Sequence, residues 1–353
     1  MPLFKRKRKS SMEKEIFEQS EILEHLLKTY IKEDQTIDID VPEGIEHVVF
    51  VASGSSYHCA RFAADIFGNV ANLEARAIYS SEFLLKTIIP HSDDMLYIFI
   101  TQSGETSDTN KALIKAKQSG VRTLCVTNKE DSSIWQASDY KVCCHAGVEK
   151  SIAATKSFTS QMMCLALLAV KFAQMKNLET DIIINDILSV PKYINETYKL
   201  QPKIKSVSRF LSKYKNIVVC ADGISYALAK EAALKIKETS YLNVNSCILG
   251  EFMHGHVAVL NNKSALIYIL VDDLSYTATK NLNKIKEEYN PPICIFGNKN
   301  VKTKTTFNTN IDCESKIVKY FCVVVMIQLT ALEIALKLRR NVDKPHGLDK
   351  IVK

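Results

Sequence analysis

The chain has 353 residues, an apolar content of 46 % and a charged content of 24 %, as in an ordinary globular protein with one large or two medium domains. Its net charge is +7, but five of the positive charges fall within residues 1–11, which contain no acid. The rest of the chain is close to neutral, so we expect no nucleic-acid-binding face and interpret residues 1–11 as a basic leader.

Hydropathy and cysteine spacing exclude two further classes. No run of 18 apolar residues occurs and no apolar segment follows the basic leader, so we expect neither a membrane partner nor a secretory signal. Ten cysteines are scattered without a CxxC pair, many of them inside apolar runs. We interpret them as small buried hydrophobic residues in a reducing cytoplasm, and we expect no metal site and no cofactor.

The predicted elements begin with a helix at 15–27 and continue as short apolar runs that alternate with helical patterns. Six of these runs predict strands, at 45–51, 96–100, 123–126, 217–220, 266–271 and 293–296. Unbroken apolar strands between helices indicate parallel sheets covered on both faces, which is the doubly wound, flavodoxin-like α/β class. Two long apolar patterns, 155–173 and 322–338, are interpreted as core helices, the first of them between the two units described next.

A long internal repeat indicates two tandem domains. GSSY at 54–57 follows the first predicted strand, and GISY at 223–226 follows the fourth, an offset of 169 residues (from 54 to 223). Three alanines of the following helix recur at the same offset: Ala60, Ala63 and Ala64 match Ala229, Ala232 and Ala233. We therefore predict a leader and helix at 1–34, one unit at 35–185, a second at 195–335, and a tail at 336–353.

Three polar loops of the first unit lie where a ligand could bind, beyond the end of a predicted strand or at the start of a predicted helix. They lie at 53–56, 101–106 and 153–157, and they combine glycine or small residues with hydroxyl groups. Small residues let backbone N–H groups approach a ligand, and a helix N-terminus adds positive potential. No P-loop pattern occurs, so the loops predict a simple phosphate group. The matching segment of the second unit, 271–274, carries two aspartates and does not suit an anion.

The second unit offers charged residues instead. Glu231, Lys235 and Glu238 fall at i, i+4 and i+7, on one face of a predicted helix. The loop 250–256 contains two histidines, and the tail 341–351 reads NVDKPHGLDKI. From spacing alone, the charged face could equally be a solvated, salt-bridged surface, and the loop an exposed turn.

Eight motifs in order give the chain a family resemblance from residue 13 to 353. It resembles the isomerase half of the glucosamine-6-phosphate synthase family, a tandem of sugar-isomerase (SIS) domains. The matching phrases are KEIFEQSE, SGSSYH, SEF (81–83), TQSGETSDT, AATKSFT, ALKIKETSY, GEFMHG and VDKPHGLDK.

The resemblance implies a role for each matching residue. Glu238 would be the base that moves a proton between C1 and C2 of the sugar, supported by Glu231 and Lys235. His254 would open the sugar ring from a neighbouring subunit, so a homodimer is expected, and Lys350 would lie in a tail that closes the site. The phosphosugar contacts would come from Ser55, Ser56, Thr101, Gln102, Ser103 and Thr106 for the phosphate and from Ile152 and Ala153 for the sugar.

Some positions depart from the family pattern. Thr101 stands where serine is common, Ala154 where the synthase has a serine, and His256 where proline is usual. No glutaminase domain precedes the matched region, so we expect no release of ammonia from glutamine.

These features leave three hypotheses. The preferred one is a deaminase/isomerase that converts glucosamine 6-phosphate to fructose 6-phosphate and ammonia, by acid–base chemistry that needs no metal. The second is an aldose–ketose phosphate isomerase or a deglycase of a phosphorylated sugar–amine adduct. The third is a non-catalytic sugar-phosphate sensor.

Overall fold

A computed structural model describes residues 10–261, 263–272, 275–298 and 303–350; the basic leader at 1–9 lies outside this range. The described residues form two parallel five-stranded sheets with flanking helices, which confirms the predicted α/β class. The predicted N-terminal helix is divided at Glu18 into α1 (Ser11–Phe17) and α2 (Gln19–Tyr30).

The first unit contains one sheet in the order β2-β1-β3-β4-β5. Its strands are β1 (His47–Ala52), β2 (Glu74–Tyr79), β3 (Met95–Thr101), β4 (Arg122–Thr127) and β5 (Tyr140–Cys143). Its helices are α3 (Gly54–Ala71), α4 (Ser80–Leu84), α5 (Ser107–Gln118), α6 (Ser133–Ala137) and α7 (Lys156–Met175).

Two helices connect this unit to the second, α8 (Asp181–Tyr198) and α9 (Gln201–Leu211). The interval 186–194, which the sequence left between the two units, therefore lies inside a helix. That helix contains Pro191.

The second unit repeats the first. Its strands are β6 (Asn216–Ala221), β7 (Asn243–Ile248), β8 (Ser264–Leu270), β9 (Ile293–Gly297) and β10 (Phe307–Asn310). Its helices are α10 (Ser225–Ser240), α11 (Leu249–Phe252), α12 (Tyr276–Tyr289) and α13 (Lys316–Lys337), with a 3₁₀ helix at His256–Val259. The order β7-β6-β8-β9-β10 is the order of the first sheet, position by position, as the sequence repeat predicts.

Each unit begins its first helix in the same way. Gly54 and Gly223 have φ values of +55° and +53°, in the left-handed region that glycine enters without a steric penalty. The glycines of the sequence repeat therefore mark equivalent turns.

The core is built around helices that are buried on nearly every side. Two helices, α7 and α13, are long and apolar enough to cross a membrane, but their most apolar windows are 83 % and 94 % buried inside the molecule. They pack on α3 and α10 respectively, and α3 and α10 meet across the two units. The amino end of α7 also reaches α13, where Gln328 Nε2 donates to the Thr155 carbonyl oxygen at 3.1 Å. Both are therefore core helices, as predicted.

Candidate active site

A cavity of about 340 Å³ opens at the carboxyl ends of β1 and β3, where doubly wound sheets place their ligands. Both units and the C-terminal tail contribute to its wall. Its lining includes Ser53, Gly54, Ser55, Ser56, Thr101, Gln102, Ser103, Thr106, Glu149, Ile152, Ala154, Ser157, Lys235, Glu238, Leu348, Asp349 and Lys350.

One end of the cavity is lined by uncharged donors. The six predicted phosphate-binding residues all line it, from the first turn of α3 and from the loop between β3 and α5. In that loop the Thr101 and Thr106 hydroxyl oxygens are 2.9 Å apart, and Ser103 Oγ accepts a hydrogen bond from the Glu105 N–H at 3.1 Å. Hydroxyl and N–H groups gathered beside helix N-termini suit an anion.

The shape of this loop depends on Gly104. Its φ is +70°, and an added Cβ would lie 2.0 Å from Ser132 Oγ, whereas Gly44 has φ +71° and nothing within 4 Å of the same position. We expect Gly104→Ala to lower the free energy of unfolding by about 2–5 kcal/mol, and Gly44→Ala by about 1–2 kcal/mol, because only the first adds a clash to the backbone strain. Urea denaturation of both variants measures this. An equal loss of unfolding free energy in both variants would show that the loop rearranges to accommodate the added methyl group.

A cluster of charged residues on α10 lies at the same cavity, and two of its three members are buried. Glu231 and Lys235 are each 1 % exposed on α10, which excludes the alternative of a solvated helix face. Lys235 Nζ lies 2.6 Å from Glu238 Oε2 and 3.5 Å from Glu231 Oε1. The Glu238 side chain keeps 20 % exposure, so a molecule in the cavity can reach its carboxylate.

Glu231 joins the two units. It accepts a hydrogen bond from Ser55 Oγ at 3.0 Å, and its other oxygen lies 2.7 Å from His58 Nδ1 on α3. The hydroxyl of Ser55 is therefore held by the second unit, and the position of the phosphate-binding end is coupled to that of α10. His58 was not predicted; its spacing of i+3 from Ser55 on the same helix was the available signal.

The pKa shifts of Lys235 and Glu231 both favour the charged form of the side chain. Burial alone lowers the pKa of Lys235, but the carboxylates of Glu231 and Glu238 outweigh it and raise the pKa above its usual value. Burial raises the pKa of Glu231, but Lys235, His58 and Ser55 outweigh it and lower the pKa. Lys235 is thus an ammonium ion, which holds the Glu238 carboxylate by charge.

The C-terminal tail is fastened across the cavity by a buried acid that the sequence did not single out. Lys350 Nζ contacts Glu149 Oε2 and donates to the Ser151 carbonyl oxygen at 2.8 Å. Glu149 also accepts hydrogen bonds from the Thr155 and Ser157 N–H groups, at 2.9 and 3.1 Å. Burial raises the pKa of Glu149, but Lys350 and these hydrogen bonds outweigh it, so the pKa is lowered.

Among the described residues, three predicted site residues are not part of the cavity lining: Ala153, Glu231 and His254. Ala153 and Glu231 are buried, and His254 is exposed after α11. The resemblance implied that Ile152 and Ala153 contact the sugar, whereas Ile152 and Ala154 line the cavity. His256, which stands where the family usually has proline, is also exposed and outside the lining.

The chain has two tandem units of the same topology, and both units line one cavity with polar loops and a carboxylate. This arrangement defines a class of duplicated doubly wound α/β proteins. The SIS domain matches this chain twice, at residues 44–171 and 210–338. The chain belongs to the SIS domain family.

Two curated relatives of this chain carry the same enzyme name. Glutamine–fructose-6-phosphate aminotransferase (isomerizing) from Campylobacter jejuni is 33 % identical over 352 residues, which are 97 % of this chain and 58 % of that protein. The protein of the same name from Helicobacter pylori is also 33 % identical, with the same coverage. This chain therefore spans somewhat more than half the length of these relatives.

Solved structures give the same result. The C-terminal domain of glucosamine-fructose-6-phosphate aminotransferase from Francisella tularensis superposes with a TM-score of 0.90 at 26 % identity, covering 96 % of this chain and 99 % of that one. A glucosamine-6-phosphate deaminase from Thermotoga maritima shares the fold, with a TM-score of 0.78 at 22 % identity and coverage of 97 % and 99 %. Family membership and relatives with enzyme names support interpreting the cavity as an active site.

Proposed function

We propose that this chain is a phosphosugar isomerase/deaminase that converts glucosamine 6-phosphate and water to fructose 6-phosphate and ammonia. The observation that carries the proposal is the shared cavity. Uncharged donors, the Glu238 carboxylate and the Lys350 ammonium all line this one cavity. Its volume of about 340 Å³ falls in the range of roughly 300–1,000 Å³ that small-molecule sites occupy.

The residues divide the chemistry between them. After ring opening, Glu238 accepts the proton from C2 of the amino sugar and returns it to C1. One proton passes from the C2 amine to the C1 oxygen, so the aldehyde becomes a hydroxymethyl group and C2 becomes an imine. One water molecule then hydrolyses the imine to a ketone and ammonia. Lys235 holds the Glu238 carboxylate in place by charge, and the Lys350 ammonium offers positive charge to the oxygen that becomes negative during proton transfer.

Ring opening needs a second group, and His254 is the proposed one. Its side chain is exposed and remote from the cavity of its own chain. We propose that His254 enters the cavity of a second copy in a homodimer. An imidazole that titrates near neutral pH can pass a proton between ring oxygen and C1 hydroxyl.

One observation favours a second candidate. Ala154 lines the cavity, and by the family resemblance it stands where the synthase has a serine. A pocket with fewer donors there fits an aldose–ketose phosphate isomerase, or a deglycase that releases an amine from a phosphorylated sugar adduct. A non-catalytic sensor is the third possibility, although it has no use for a positioned carboxylate.

A single substrate panel tests these alternatives. Purified protein incubated with glucosamine 6-phosphate should release ammonia and fructose 6-phosphate in equal amounts. Interconversion of fructose 6-phosphate and glucose 6-phosphate without ammonia would favour the isomerase, and release of an amino acid from a phosphorylated adduct would favour the deglycase. Binding of these compounds with no turnover of any of them would contradict catalysis and favour the sensor.

A further inference from the structure

A second cluster of reactive side chains lies outside the cavity, at the carboxyl ends of β4 and β5. One potential ligand atom from each of Glu130, Cys143 and His145 lies within 4.8 Å of the other two. Cys143 is buried, His145 is half-buried and Glu130 is exposed. The group is therefore held by the sheet on one side and is open to solvent on the other.

A fourth candidate ligand comes from a different element. His25 lies on α2, and its ring centre is 6.0 Å from that of His145, at an interplanar angle of 79°. Two imidazoles on one tetrahedral zinc ion, with Zn–N bonds of about 2 Å, have ring centres roughly 5 Å apart. His25 is exposed, so its side chain is free of the core packing that would oppose a movement of about 1 Å.

We propose that Glu130, Cys143 and His145, with His25 as fourth ligand, bind a divalent transition metal of the zinc class. One thiolate, two imidazoles and one carboxylate form a mixed S/N/O set that such ions prefer over magnesium or calcium, which take oxygen ligands. Binding removes the thiol proton of Cys143 to solvent, and no bond is oxidised or reduced.

The expectation of no metal site rested on the absence of a CxxC pair. It overlooked ligands that come from three separate segments.

The location of the site gives the metal a structural consequence. Asn128 Oδ1 accepts from the Ala146 N–H at 2.7 Å, and its Nδ2 donates to the Gly147 carbonyl oxygen at 2.8 Å. The segment that carries Glu149 therefore starts directly beside the cluster. A metal ion would fasten α2 to the beginning of this segment.

Cobalt provides a direct test that does not depend on enzyme activity. The full chain, stripped with a chelator and titrated with Co²⁺, should take up one equivalent with a thiolate-to-cobalt charge-transfer band and intense tetrahedral bands in the visible spectrum. Added Zn²⁺ should remove these bands. Absence of a thiolate band in the wild-type protein would overturn the proposal.

Variants identify the ligands. Cys143→Ser should abolish the thiolate band, and His145→Ala should weaken Co²⁺ binding by more than the roughly 10–100-fold typical of losing an outer-shell partner. Cys313→Ser, at a half-buried cysteine outside the cluster, is the control and should leave the spectrum unchanged. If Cys143→Ser fails to fold, Glu130→Gln at the exposed ligand takes its place and should also weaken binding. An unaltered spectrum in His145→Ala and Glu130→Gln would contradict the assignment.

Thermal unfolding gives an independent readout. Zn²⁺ should raise the Tm of the wild-type protein because the assembled site binds it more tightly than the unfolded chain does, and this rise should disappear in His145→Ala. An equal rise in both proteins would place the metal elsewhere.

Discussion

Glu238→Gln will reduce turnover of the phosphosugar by roughly 10²–10⁴-fold, because an amide cannot accept the C2 proton. The size and hydrogen-bonding reach of the side chain are kept. The Lys235 ammonium, which lies 2.6 Å from the carboxylate, can still donate to the amide oxygen. Substrate binding should therefore survive, since the proposed phosphate contacts come from other residues, in the first turn of α3 and the segment 101–106. Ammonia and fructose 6-phosphate assays measure turnover, and calorimetry with substrate measures binding.

The control is Glu287→Gln, at an exposed glutamate on α12 that is remote from the cavity. It makes the same chemical change and should leave turnover unaltered. Full activity in Glu238→Gln would remove this residue from the mechanism. Loss of binding together with turnover would instead show that Glu238 holds the substrate.

The same variant tests whether the site is shared between two copies. A mixture of Glu238→Gln and His254→Ala proteins should recover activity, because a mixed dimer combines an intact glutamate from one copy with an intact histidine from the other. With random exchange of subunits, half of the dimers are mixed and each has one complete site, so about a quarter of the wild-type activity is expected. No recovery after confirmed exchange would show that each site is built by one chain.

The sequence predicted the parts of the fold whose hydrophobic pattern is strong. The six interior runs are buried on both faces and therefore mostly apolar, and all six form strands. The four strands that it missed, β2, β5, β7 and β10, lie at the sheet edges. An edge strand has one neighbour and partial solvent contact, so it carries polar residues such as Asn243 and Asn245, and periodicity does not distinguish it from a loop.

The site was predictable where motifs are continuous and not where the fold brings distant segments together. The loop residues Thr101 to Thr106 are adjacent in sequence, and all that were predicted line the cavity. His58 and Glu149 acquire their importance from partners far along the chain, Glu231 and Lys350. Spacing alone could not reveal those pairs. The same reason hid the cluster of Glu130, Cys143 and His145.

The largest effect on stability is expected from Lys235→Met. This replacement keeps the buried volume but leaves Glu231, 1 % exposed, without its cation. Removing one partner of a buried ion pair costs about 3–5 kcal/mol, because the remaining charge stays in a medium that solvates it poorly. Urea denaturation at neutral pH should show this loss as a lower midpoint with an unchanged slope. Lys237→Met, at an exposed lysine of the same helix, should change the free energy of unfolding by less than about 0.5 kcal/mol.

The double variant Glu231→Gln/Lys235→Met separates charge from packing. If the cost arises from an uncompensated carboxylate, neutralising Glu231 should restore much of the lost stability, so the two changes will not add.

The pH dependence of the stability that this ion pair contributes has a definite sign. The pKa of Glu231 is lowered by folding, so its contribution is complete above the ordinary value of 4.5 and disappears as the pH falls through the folded value. The pKa of Lys235 is raised, so its contribution is complete below the ordinary value of 10.5 and fades only in stronger alkali. The deficit of Lys235→Met should therefore be constant between these limits and shrink in acid. A deficit that persists in acid and in the double variant would show that Lys235 stabilises the fold by packing and not by its charge.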